Sequence, residues 1–108
     1  MQLETTSTPG GYCTLAVSGE VDVATCVELR EAGEKLVQET GCTGLRIDLS
    51  SVEFIDSSGI GALIAIRNAA DSAAVPVVFA NPSAKVSSVL EITRLNEVFT
   101  IEIDGTRS

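Results

Sequence analysis

Histidine and tryptophan are absent from this 108-residue chain, and aromatic side chains make up only 4% of it. Without histidine, the commonest general base and the commonest metal ligand drop out of every catalytic scheme together. Basic residues are scarce as well: seven Lys and Arg stand against fifteen Asp and Glu, a formal charge of -8. That excess repels nucleic-acid phosphates and anionic lipid surfaces, so neither nucleic acid nor direct membrane association is expected. The three cysteines, Cys13, Cys26 and Cys42, show no C-x-x-C spacing, which fits neither a zinc knuckle nor a disulfide framework. They read as small buried hydrophobes in a reducing compartment, with a redox switch as the alternative. No cofactor and no metal centre is expected. The N-terminal MQLETTSTPGG has none of the basic and apolar regions of a signal peptide, and no apolar run approaches membrane-spanning length, so a cytoplasmic location is expected.

What is present is aliphatic. With 44% hydrophobic residues, the chain has enough Val, Leu, Ile and Ala to bury a core as one domain over residues 1–108. Thr8-Pro9-Gly10-Gly11 is a turn signal between two strands, Gln2 to Ser7 and Tyr12 to Ser18, which predicts a hairpin. After the turn Gly19-Glu20-Val21-Asp22, residues Cys26, Leu29, Ala32 and Leu36 share one helical stripe, with Glu31 and Lys35 as an outward pair and Gly41 as the cap. Leu45, Ile47 and Leu49 alternate with Arg46 and Asp48 in a strand, and a second helix runs from about Ser57 to Ala73. Val75 to Ala80 reads as a buried strand. Asn81-Pro82 reads as an N-cap and first helical residue. A last strand, Val98 to Ile103, precedes a polar tail. Alternation of strands and helices with short connections predicts crossover helices on a mainly parallel sheet.

The stretch FIDSSGIGALI at 54–64 admits four chemistries: a nucleophile, a phosphate cradle, a helix cap or a phosphoacceptor. A nucleophilic serine needs a base within reach and a G-x-S-x-G elbow; Ile55 occupies the first glycine position, and there is no histidine. The P-loop pattern is absent, and Gly59-Ile60-Gly61 lacks the third glycine of a dinucleotide fingerprint. Asp56 or Ser57 as a helix cap fits the spacing. A serine at an exposed helix start is also open to a kinase, and its phosphate would bring about -1.5 to -2 charges to the positive end of the helix dipole.

At about 3.6 residues per turn, Ile60, Leu63, Ile66 and Ala70 form one face of that helix, flanked by Ile64 and Arg67. Ser58, Gly61, Ala62, Ala65, Ala69 and Ser72 form a face of small residues. Such a face suits close approach of a partner helix, and equally suits packing by another helix of the same domain.

GEVD at 19–22, IDLSSVEFIDSSGIGALI at 47–64 and the terminal strand after Arg94-Leu95 together resemble the STAS domain of bacterial anti-sigma factor antagonists, across nearly the whole chain. The resemblance implies a single STAS-type α/β domain with a mixed, mainly parallel four- to five-stranded sheet covered by helices. It implies partner switching: the unphosphorylated antagonist binds an anti-sigma factor that is also a serine kinase, freeing the sigma factor. Phosphorylation breaks that complex and a phosphatase restores it. The acceptor maps to Ser57, which makes the serine a substrate and the protein no enzyme. Asp22, Asp56, Ser58, Gly59 and Gly61 match the surrounding motif, and with Ala62 and Ala65 they make up the expected partner surface. The alternative is a STAS scaffold without sigma-factor chemistry, in a larger signalling assembly or beside a membrane transporter. Arg94 departs from the family, many of whose members have glycine there.

Overall fold

In the computed structural model, which describes residues 1–39 and 41–103, the strands follow the alternation of the sequence. The polar tail expected after the last strand lies outside the described residues. Gln2–Ser7 (β1) and Tyr12–Val21 (β2) form the expected hairpin, antiparallel from Gln2 opposite Ser18 to Ser7 opposite Cys13. Gly44–Ile55 (β3), Val77–Ala80 (β4) and Ile101–Glu102 (β5) add in parallel, giving the order β1-β2-β3-β4-β5. Three helices, Cys26–Gln38 (α1), Ser57–Ser72 (α2) and Ala84–Ile92 (α3), make the crossovers.

Cys13, Leu15 and Val17 of β2 and Leu45, Ile47 and Leu49 of β3 are buried with Leu29, Leu36, Leu63, Ile66 and Phe79. A fully buried aliphatic side chain of this kind contributes roughly 1.5–3 kcal/mol. The helices α1 and α2 approach closely because α1 carries Gly33, where a Cβ would stand 2.5 Å from Ile66 Cδ1. The alternate residues face the other way and are polar: Glu4, Ser18, Asp48 and Ser50 line a shallow depression on the sheet. Across that face Arg46 pairs with Glu102.

Several boundaries differ from the sequence reading. Strand β2 does not stop at Ser18 but runs on to Val21. Gly19, at φ +89, sits at two register shifts against β3, Ala16/Ser18 and Gly19/Glu20, so a bulge replaces the expected turn. Helix α1 ends at Gln38, before Gly41. Its ion pair joins Arg30 and Glu34 at 3.4 Å rather than Glu31 and Lys35. Val75 precedes β4, because its N–H still closes the end of α2 on Ala70 O at 2.9 Å. Ser83, not Asn81, caps α3, its hydroxyl accepting from Val86 N–H at 3.3 Å; Asn81 is instead left-handed at φ +51. The expected final strand shrinks to two residues, since Leu95–Glu97 forms a turn of 3-10 helix entered through Arg94 at φ +62. That turn sends Phe99 inward onto Phe79, with ring centroids 4.3 Å apart.

Candidate functional site

A single residue, Asp56, separates the end of β3 from the start of α2. Its backbone is extended, and its carboxylate accepts from Gly59 N–H at 3.1 Å, which makes Asp56 the cap that the sequence had left open between Asp56 and Ser57. Asp56 N–H donates to Val21 O at 3.2 Å, tying the cap to the end of β2. Ser57 follows as the first helical residue and is exposed. Its hydroxyl therefore stands at the positive end of the helix, reachable from solvent.

The two glycines of this turn have unlike roles. At Gly59 a Cβ would lie 2.7 Å from Ile55 Cγ1 and 2.8 Å from the Val21 carbonyl oxygen. Gly59 is buried and packs the helix start onto β2, so it is not available as a partner contact or as part of a phosphate cradle. At Gly61 nothing stands within 4 Å of such a Cβ, and the residue is exposed. Ser57 and Gly61, four residues apart, share the outer side of the helix, with the half-buried Ser58 and Ala65 beside them. Ala62 does not belong to this surface: it is only 4% exposed and joins the core. The small-residue face is thus partly used inside the domain, and its open part centres on Gly61.

Asp22 reaches the same rim, because it directly follows Val21, whose carbonyl holds Asp56. It is built into a turn. Its Oδ1 accepts from Ala24 N–H at 3.0 Å, its own N–H donates to the Thr25 hydroxyl at 3.0 Å, and its carbonyl accepts from Thr25 and Cys26 N–H at 3.1 and 2.8 Å. Thr25, which the sequence reading passed over, holds this turn to β2 by donating to Glu20 O at 3.0 Å. Asp22 therefore organises the entry to α1 as well as standing on this rim. Exposed apolar side chains at this end were also missed: Val23 is 76% and Val27 49% exposed, and Phe54 is also exposed. The signal for Val27 was legible, since it falls outside the stripe of Cys26, Leu29, Ala32 and Leu36.

Chemically, this rim offers one accessible hydroxyl on a fixed helix start, carboxylates engaged by backbone N–H groups, and exposed apolar side chains. Among the described residues no group of three or more acidic or cysteine side chains is arranged to hold a metal ion. No helix among them is long and apolar enough to cross a membrane.

A model of the STAS domain matches residues 2–106. The anti-sigma-B factor antagonist of Listeria monocytogenes is 29% identical over 91 residues, covering 84% of this chain and 79% of its own length. Its counterpart from Staphylococcus aureus is 27% identical over 106 residues, covering 98% and 95%. Among solved structures, an anti-sigma factor antagonist from Mycobacterium paratuberculosis superimposes with a TM-score of 0.82 at 25% identity, over 94% of this chain and 84% of that one. SpoIIAA shares the fold in its unphosphorylated form (TM-score 0.78, 18% identity, 94% and 87% covered) and in its phosphorylated Bacillus form (0.72, 17%, 94% and 90%). The five-stranded mixed sheet with three helices, and the match over residues 2–106, agree with the fold that the resemblance implied: this chain belongs to the STAS domain family, as do the anti-sigma factor antagonists it resembles.

Proposed function

We propose that this protein is an anti-sigma factor antagonist of the cytoplasm, controlled by phosphorylation of Ser57. In its unphosphorylated form it binds an anti-sigma factor that is also a serine kinase, and the sigma factor is released. Phosphate on Ser57 ends the complex, and a phosphatase restores the binding form. The observation that carries this reading is Ser57 itself, an exposed hydroxyl at the first position of α2, held on a cap that is bonded to β2. The names of the Listeria and Staphylococcus relatives support the antagonist part, and SpoIIAA supports the capacity of this fold to carry phosphate.

A phosphate at that position adds about -1.5 to -2 charges next to the Asp56 carboxylate. Because the positive end of α2 tolerates that charge, the switch acts on docking rather than on folding. The partner surface is the rim of Ser57, Ser58, Gly61 and Ala65 with Asp22 and Asp56 behind it, widened by the exposed Val23 and Val27. The direct test is incubation with a cognate kinase and ATP followed by peptide mass mapping. Phosphate is expected on Ser57; phosphate confined to any other residue overturns the assignment.

A further inference from the structure

Two of the three cysteines meet at the end of the sheet where β2 and β3 begin. Tyr12 pairs with Gly44 and Cys13 with Leu45 across the two parallel strands. Below that pair the segments stay side by side, because Thr43 N–H donates to Gly11 O at 2.8 Å and the Thr43 hydroxyl to Gly10 O at 3.1 Å. The Cys42 side chain reaches forward to the start of β3, its Sγ donating to Gly44 O at 3.6 Å. The Cys13 Sγ donates to Gly11 O at 3.7 Å, and the two cysteine side chains lie close enough to interact. Both cysteines line one cleft of about 230 Å³ with Glu39, Gly41 and the Thr8-Pro9 turn. Both are free thiols, Cys13 buried and Cys42 half-buried.

We propose that Cys13 and Cys42 form a reversible intramolecular disulfide when the protein meets a peroxide. Cys42, the more exposed sulfur, reacts first. Its thiolate attacks one peroxide oxygen, the O–O bond breaks, and Cys42 sulfenic acid and hydroxide are formed. Cys13 then attacks the Cys42 sulfur; the S–S bond forms, the S–OH bond breaks, and hydroxide leaves with the Cys13 proton as water. In balance, two thiols are oxidised and one peroxide is reduced to two waters. Burial, above all, and the neighbouring Cys42 and Glu39 push the Cys13 thiol up to about 11, which suits a resolving thiol better than a first-reacting one. The pair lies at the opposite end of β3 from Ser57, so the bond leaves the acceptor turn in place.

The test treats the full chain in a Cys26→Ser background with hydrogen peroxide, then blocks remaining thiols with N-ethylmaleimide in denaturant. The expected product is a monomer two hydrogen atoms lighter, unlabelled, with the Cys13 and Cys42 tryptic peptides linked and released by dithiothreitol. Linkage between chains, or Cys42 sulfinic acid beside a labelled Cys13, overturns the proposal. Cys13→Ser is expected to stop at a dimedone-reactive sulfenic acid on Cys42. Should that core variant fold poorly, Cys42→Ser at the half-buried position decides. Cys13 must then remain a free thiol at the same peroxide dose, and its oxidation without Cys42 overturns the assigned order.

Discussion

Ser57 is a single hydroxyl, and under the proposed function its substitutions separate docking from switching. Ser57→Asp should weaken binding to the kinase-type partner by about tenfold or more, ~1.4 kcal/mol, while Ser57→Ala binds normally and cannot be switched off. Isothermal titration giving equal affinity for both would remove charge at this turn as the control. The neighbouring glycines should respond with opposite signs. Gly59→Ala drives a Cβ toward the Val21 backbone oxygen, 2.8 Å away, and should cost about 1–3 kcal/mol. Gly61→Ala meets nothing within 4 Å and should gain up to about 1 kcal/mol of helix propensity; urea denaturation of the two variants checks both. Ser57, Asp56 and Gly61 were legible in the sequence because local helix rules govern them. Gly59 and Ala62 were misread because their roles depend on Val21 and on the core, which only the folded chain brings to them.

Among the elements, α2 was readable nearly to the residue, since a capping aspartate opens it and a 3.6-residue apolar pattern sustains it. Strand β2 was cut short in the reading because Gly19 signals a turn locally, whereas pairing with β3 on one side lets the strand absorb the left-handed residue as a bulge. The end of the chain was the least legible. From Val98 to Ile103 the β-branched pattern favours a strand, but stacking of Phe99 on Phe79 outweighs it and leaves two paired residues. The departure at Arg94 did point to the right place. Its φ of +62 is a conformation that costs a non-glycine residue about 1–2 kcal/mol and that glycine adopts freely. Arg94→Gly releases that strain and adds about 0.5–1 kcal/mol of chain entropy to lose. A net gain of about 0–1.5 kcal/mol follows, visible as a small rise in the urea midpoint; a clear loss would show that the Arg94 side chain holds the 3-10 turn.

For the molecule as a whole, the sheet order and the helical crossovers followed from the alternation of strands and helices, while the meeting of Cys13 with Cys42 could not, being set by register between distant segments. Cys13 also links global unfolding to pH. Its thiol rises from 9.0 unfolded to about 11 folded, so the native chain holds a proton that the unfolded chain releases in that window. The contribution to stability is complete below pH 9 and declines as pH rises from 9 to 11. Urea midpoints measured across this window should fall more steeply in the parent than in Cys13→Ala, and parallel curves would contradict the shift. The one-residue passage from β3 to α2 has a different consequence. With Asp56 bonded both to Val21 and to Gly59, Ser57, the proposed acceptor, cannot be drawn out as a slack peptide into a kinase cleft. The enzyme that modifies it must read a folded surface and come to the hydroxyl where it stands. A synthetic peptide of residues 50–66 should therefore be a poor substrate beside the intact domain under equal kinase and ATP, and comparable rates would mean that the kinase reads sequence rather than shape.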